Sequence, residues 1–149
     1  MKDLTLIIPT RDRQTRLISL LDHLGHFSSP PKIIVADSSK TPTNISQQNN
    51  FNGDHHLFAH EVDVFDKIRA VILSCDTKYV SLCADDDYVF EKGLLDCLTF
   101  LRDEKHHVAC HGQYWSYYLG HKTKPIFFPR YISNSIEQKY RKQRVLATL

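Results

Sequence analysis

Apolar residues along this chain fall into short β-like runs separated by stretches with helical spacing. Leu4-Thr5-Leu6-Ile7-Ile8 is a β-favouring run closed by Pro9. The polar segment Pro9-Thr10-Arg11-Asp12-Arg13 leads from it to Leu17, Leu20, Leu21 and Leu24, whose i, i+3, i+4, i+7 recurrence predicts a helix ending near Gly25. After Ser28-Ser29-Pro30-Pro31, Lys32 to Ala36 reads as a second buried strand that stops at Asp37-Ser38-Ser39. In the polar stretch 41–50, Pro42 and Ile45 predict one short helix, and Asn49 to Asp54 is a turn. A third strand is expected within His55 to Val62, with Leu57-Phe58-Ala59 as its apolar centre. A helix follows from about Asp63, with Val64, Phe65, Ile68, Val71, Ile72 and Cys75 on one side and Lys67 and Arg69 on the others. The apolar run from Tyr79 that ends in the carboxylates from Asp85 is a fourth strand, Leu94, Leu95, Leu98 and Leu101 mark another helix, and Val108-Ala109-Cys110 reads as a fifth strand. This alternation predicts an α/β fold, a mostly parallel sheet with helices on both faces. From Gly112 the pattern changes: Tyr114, Trp115, Tyr117 and Tyr118, then Ile126-Phe127-Phe128, predict a strand or hairpin. Its aromatics read first as core and second as a sugar-stacking wall. A weakly amphipathic helix is expected from Ser133 to Leu149.

The fourth strand ends abruptly in Asp85-Asp86-Asp87. Three adjacent carboxylates repel one another unless solvent, basic groups or a divalent cation relieves them. If the tip were extended, alternate residues would share a face roughly 6.6 Å apart, so Asp85 and Asp87 would converge on one ligand while Asp86 pointed elsewhere or capped the next helix. Oxygen-only donors of this kind suit Mg²⁺ or Mn²⁺. The plainer alternative is a solvated loop capping the helix that begins near Glu91. Two other segments lie at the same, carboxyl edge of the expected sheet, where ligands bind in open α/β folds. Arg11 and Arg13 are candidates to meet an anion, or are ordinary surface arginines. Asp37 is a candidate acceptor for a ribose hydroxyl or base N–H, or caps the turn after its strand.

Composition narrows the class. With 149 residues, 42% of them hydrophobic and 24% charged, the chain fits one soluble domain. No apolar run approaches the roughly 20 residues of a membrane helix, and Met1 to Leu4 runs straight into a strand, so a cytoplasmic protein is expected. The net charge of +2 hides an asymmetry: residues 121–149 hold seven basic and one acidic side chain, against twelve and sixteen in residues 1–120. That basic tail is a candidate for peripheral contact with an anionic membrane surface, or is a solvated helix. No nucleic-acid-binding motif is present. Cys75, Cys83, Cys97 and Cys110 form no CxxC pair and read as reduced thiols, and the nine histidines show neither HExxH nor finger spacing. Absence of GxGxxG removes support for a dinucleotide fold.

Four segments, Leu6 to Arg13, Ile34 to Ser39, Lys67 to Ala70 and Cys83 to Asp87, together resemble the nucleotide-sugar-binding part of the family 2, GT-A type (Rossmann-like) glycosyltransferases. The resemblance covers roughly residues 3–112 as a donor-binding core of one domain spanning 1–149, with 113–149 as an incomplete acceptor-side extension. It implies that Pro9, Thr10, Arg11 and Asp12 lie beneath the nucleobase and that Asp37 contacts base or ribose. It places Arg69, or alternatively Lys67, near the diphosphate. Asp85, Asp86 and Asp87 are similar to the DxD element, whose acids contact ribose and hold the Mn²⁺ or Mg²⁺ that bridges the diphosphate. The implied partners are a nucleotide-sugar donor and an acceptor: a glycan, a lipid-linked sugar or a protein. Ala84 stands where the family commonly has another acid. Beyond Asp103-Glu104 the only acid is Glu137, so no acceptor base is identified. A catalytically inactive donor-binding module is therefore the alternative function. A sugar-1-phosphate nucleotidyltransferase would want a glycine-rich basic loop after the first strand, which Pro9 to Arg13 does not supply.

Overall fold

The computed structural model describes residues 1–46, 48, 51–118 and 126–129, and the chain divides into two compact units, Met1–Glu104 and Lys105–Leu149. In the first unit, β1 (Leu4–Thr10), β2 (Lys32–Asp37), β3 (Gly53–Leu57) and β4 (Tyr79–Leu82) form one parallel sheet in the order β3-β2-β1-β4. The helices are α1 (Gln14–Gly25), α2 (Val64–Ile72) and α3 (Glu91–Asp103). This is the expected α/β architecture. Strand order steps outward from β1 to β3 and then returns to the other side of β1, so the switch point lies between β1 and β4.

Alternation along the buried strands explains the layers. Leu6, Ile8, Ile33 and Val35 face one side and pack with Leu17, Leu20, Leu21 and Leu24 of α1. Leu4, on that same face, packs with Leu98 of α3. Ile7, Ile34 and Ala36 face the other side, where Val71 of α2 covers them. Helices therefore lie on both faces. Pro9 is accommodated inside β1 because its missing N–H falls on the β4 side, beyond the last β4 partner, Leu82 opposite Ile7.

Three local expectations change. β3 runs over Gly53–Leu57 rather than centring on Leu57-Phe58-Ala59. Pairing starts at Gly53 because a Cβ there would stand 1.9 Å from the Ile33 carbonyl oxygen, an approach only glycine permits. Phe58 falls just past the strand and packs on the Ile7, Ile34 and Val71 cluster. No helix forms over 41–46; instead Asn44 caps a turn through the Ser46 N–H (3.1 Å), and Ile45 plugs the α1-side core at 1% exposure. The fifth strand expected at Val108–Cys110 is irregular, with Val108 wholly exposed, because without a buried partner surface a three-residue apolar run has nothing to pair against.

In the second unit, β5 (Trp115–Tyr118) pairs antiparallel with β6 (Ile126–Pro129), the expected hairpin. Trp115, Tyr117 and Phe127 are 51%, 50% and 59% exposed, so these aromatics are not the core they first suggested. The helix expected over Ser133–Leu149 lies outside the described residues. All four cysteines stand as thiols, and no helix among the described residues is long and apolar enough to cross a membrane.

Two glycines give opposite predictions. Gly53→Ala should destabilise the protein by about 1–3 kcal/mol through forced overpacking against β2. Gly93→Ala, in α3 with nothing within 4 Å of the new methyl, should stabilise it by roughly 0.5–1 kcal/mol. Urea denaturation checks both.

Candidate functional site

The carboxyl ends of β1 and β4, flanking the switch point, are where an open α/β sheet leaves a crevice. Cys83 keeps the β4 direction for one more residue, its N–H donating to the Ile7 carbonyl (3.0 Å). The chain then turns, with the Asp87 N–H donating to the Ala84 carbonyl (3.1 Å). The acidic tip is therefore a turn and not an extended strand, which changes which carboxylates meet. Asp85 is buried at 4% exposure and accepts a hydrogen bond from Thr10 Oγ1 (2.7 Å). Arg13 places one guanidinium nitrogen 3.1 Å from both Asp85 Oδ1 and Asp86 Oδ2, and Arg16 adds a 2.8 Å contact to Asp86 Oδ2. Asp85 and Asp86, neighbours in the turn, share Arg13 as a partner.

The same flank of α1 holds the loop that follows. Ser19 Oγ lies 2.8 Å from the Tyr88 hydroxyl, and His23 Nε2 lies 2.8 Å from the Val89 carbonyl. The His23 ring meets Phe27, Tyr88 and Phe90 edge-on. Residues 13, 16, 19 and 23 recur at three- and four-residue steps, so one polar stripe, beside the leucine stripe, grips the acidic turn. Arg16, Ser19 and His23 were not expected at the site; the spacing was their signal.

On the β2 side, Asp37 is 1% exposed. Its Oδ1 accepts the Ser39 N–H (2.7 Å) and its Oδ2 lies 3.1 Å from His55 Nε2 of β3. The capping role is thus occupied, although a carboxylate has further acceptor capacity. Asp12 joins three segments: its N–H donates to Ser39 Oγ (2.8 Å), its Oδ1 accepts the Lys40 N–H (3.0 Å), and its Oδ2 meets His60 Nε2 (2.9 Å). It does so in a left-handed conformation, φ 55°, which an aspartate tolerates better than most residues. The Lys40 amide and then the His60 side chain hold its carboxyl below the usual carboxylate range.

The basic candidates divide. Arg13 reaches the carboxylates, whereas exposed Arg11 donates to the His60 carbonyl (3.4 Å). Lys67, expected on an open side of its helix, is instead 2% exposed, with its ammonium donating to the Thr10 carbonyl and to Ser38 Oγ (3.0 Å). Arg69 is exposed in the last turn of α2, about 200° around the helix from Lys67, and is not brought to the carboxylates in this conformation. Cys83 lies beneath the turn, where burial and then Asp87, Asp85 and Asp86 push its thiol up to about 12.

Chemically, the turn offers hard oxygen donors suited to Mg²⁺ or Mn²⁺. Among the described residues no group of three or more His, Cys, Asp or Glu side chains is arranged to hold a metal by itself. The donor set fits a cation shared with phosphate oxygens, the usual Mg²⁺ habit, and not a cage built by protein alone. A cleft of about 330 Å³ bounded by Met1, Pro30, Lys32 and Gly53 lies at the opposite, amino edge of the sheet, away from these groups.

No family model and no curated protein sequence matches the chain. Among solved structures, S. aureus TarS 1–349 superposes with a TM-score of 0.61 at 18% identity, covering 70% of this chain and 33% of that one. S. aureus TarS superposes with a TM-score of 0.59 at 21% identity, covering 72% of this chain and 20% of that one. The chain thus spans a third or less of these proteins' length. The likeness is one of fold: the α/β arrangement of this chain is shared with those structures.

The Asp12 junction gives a pH prediction. Its folded carboxyl titrates below 3.8, so the stability it adds is fully present above that value and is lost as pH falls from there through the folded value. Thermal unfolding at stepped pH should show wild type losing more stability than Asp12→Asn below about pH 4. Asp12→Val, a β-branched residue forced to positive φ, should cost at least about 1–2 kcal/mol at neutral pH.

Proposed function

We propose that this chain is the donor-binding part of a glycosyltransferase, taking a nucleotide-sugar at the carboxyl edge of β1, β2 and β4. TarS is a family 2 glycosyltransferase, and the fold likeness is the premise. The observation that carries the reading is local: at the switch point, where such sheets bind ligands, Thr10 and Arg13 contact Asp85 at 2.7 and 3.1 Å and Arg13 also contacts Asp86 at 3.1 Å. Pro9, Thr10, Arg11 and Asp12 form the bed for the nucleobase. Asp37 takes the base or ribose through its remaining acceptor capacity. Thr10 and Arg13 fix the direction of Asp85, and Arg13 with Arg16 neutralises the turn until ligand arrives. Asp86, with Asp85 or Asp87, would hold Mn²⁺ or Mg²⁺, whose contribution is Lewis-acid relief of the charge that builds on the leaving nucleoside diphosphate. Arg69 remains a candidate for the diphosphate, reached through a change of side-chain rotamer.

A second reading is favoured by one observation, the scarcity of acids after Glu104. Deprotonating an acceptor hydroxyl needs a base within reach. Glu137, the one acid in that stretch, lies outside the described residues. A donor-binding module without turnover would keep the same edge and show no sugar release. Acceptor identity and any membrane contact of the basic tail belong to the same proposal, as does a cytoplasmic location.

Thermal-shift measurements with UDP, GDP, ADP and CDP, with and without Mn²⁺, test the site, because a ligand at about 100 times its Kd adds about 2.7 kcal/mol to the folded state. One nucleotide should raise Tm, and more so with Mn²⁺. The Asp85→Ala/Asp87→Ala double variant should lose at least about tenfold in Mn²⁺-dependent affinity, the equivalent of one charge-assisted contact. Equal affinity in wild type and double variant would sink the metal assignment. Sugar release from the matching nucleotide-sugar separates the transferase from the silent module.

A further inference from the structure

Lys67, the alternative to Arg69 for the diphosphate in the sequence resemblance, has no part in the donor-binding arrangement just proposed. Lys67 is a buried ammonium without a carboxylate in direct contact: its donors go to the Thr10 carbonyl and to Ser38 Oγ. Its place follows from the helix. Lys67 and Val71 sit one turn apart on the same stripe of α2, and Val71 is seated on Ile7, Ile34 and Ala36. The stripe therefore runs from the sheet's apolar face to its carboxyl edge, and the long methylene stem crosses the boundary.

Both acceptors are nodes. The Thr10 carbonyl also takes the Ser38 N–H (3.1 Å), which joins the ends of β1 and β2, while the Thr10 hydroxyl fixes Asp85 (2.7 Å). Ser38 stands between Asp37 and Ser39, the two partners of the capping bond. One ammonium therefore ties the strand end that orients Asp85 to the turn that orients Asp37. Burial holds the ammonium below its ordinary range while Asp37 and Asp85 pull it up and Arg11 pulls it down. At 2% exposure it is enclosed by protein and does not face an incoming ligand.

We infer that Lys67 is a positioning residue, a buried strut that sets the spacing of Asp37 and Asp85 and acts on ligand only through them. The inference rests on the donor-site reading for its ligand readout and stands apart from it for its structural one. A residue touching phosphate would affect only phosphate-bearing ligands; a strut affects nucleoside and diphosphate alike.

The experiment uses Lys67→Met, which keeps the stem and removes the charge, and Lys67→Arg, which keeps the charge and donors. Calorimetry compares each nucleoside with its diphosphate, with uridine and UDP as the first pair and the GDP, ADP and CDP pairs after them. Lys67→Met should weaken both members of the bound pair by the same factor, about tenfold, and Lys67→Arg should recover most of it. Loss confined to the diphosphate, or no loss, overturns the inference. Amide hydrogen exchange on the ligand-free protein is the independent arm: Ser38 and Ser39 should exchange about tenfold faster in Lys67→Met, with Leu6 and Ile34 unchanged. Unchanged Ser38 and Ser39 overturn the strut whatever the nucleotide result. If wild type binds no nucleotide while Ser38 and Ser39 do respond, the donor site fails and the strut stands. Should Lys67→Met not fold, Ser38→Ala removes one acceptor and is read at the Ser39 amide, where unchanged exchange again overturns it.

Discussion

Two carboxylates buried at the ends of apolar strands set the terms for the whole carboxyl edge. Asp37 and Asp85 are 1% and 4% exposed, and an ionised carboxylate taken out of water costs several kcal/mol unless donors surround it. Every neighbouring feature supplies those donors. Thr10 and Arg13 serve Asp85, the Ser39 amide and His55 serve Asp37, and Lys67 places a positive charge between them. The β1–α1 loop is consequently shaped by electrostatics as much as by turn propensity. Asp12 holds a positive φ because its amide and carboxylate together bind the residues after Asp37.

Helix α1 is the element that reconciles this edge with the core. Its leucine stripe covers β1 and β2, and its polar stripe, from Arg13 to His23, grips the chain from Asp85 to Val89. A rotation of the helix that improved one stripe would spoil the other. The acidic turn is thus held by a packed surface, the condition under which a binding constellation keeps its geometry. Glu91 adds to this by accepting the Ser28 and Ser29 amides (3.0 and 2.7 Å), fixing the start of α3 against the chain after α1.

Much of this was legible in the sequence, for physical reasons. Apolar runs locate the buried strands: β1 and β2 lie where Leu4–Ile8 and Lys32–Ala36 predict, and β4 starts at Tyr79 as expected but ends at Leu82, short of the carboxylates. The edge strand β3 was misplaced because an edge needs no apolar run; its start is set by backbone approach at Gly53, which hydropathy does not register. For the tip of β4 the sequence leaves an extended end and a loop both open, because an acidic triplet suits either; the structure has a turn, in which Arg13 bridges Asp85 and Asp86. Lys67 was read as open to solvent because lysine usually is. Only its four-residue step from Val71 hinted that it shares the buried stripe. Arg16, Ser19 and His23 fall on a face that looks like ordinary polar helix surface until the acidic turn is placed beside it.

The ion pairs at the turn bear on how the proposed site would work. At Asp86, 37% exposed at the side chain, the partners Arg13 and Arg16 are 52% and 59% exposed, and pairs of that exposure are each worth about 0–1 kcal/mol. They neutralise Asp86 at little cost to anything that replaces them. If a divalent cation bound at Asp86 as proposed, it would take the place of charge of the same sign, and the guanidinium groups so released would be free to meet a diphosphate. Asp85 is held differently, by Thr10 and the enclosing protein as well as by Arg13. The turn thus combines one enclosed carboxylate with one paired at the surface, a division that three equally solvated aspartates would not provide.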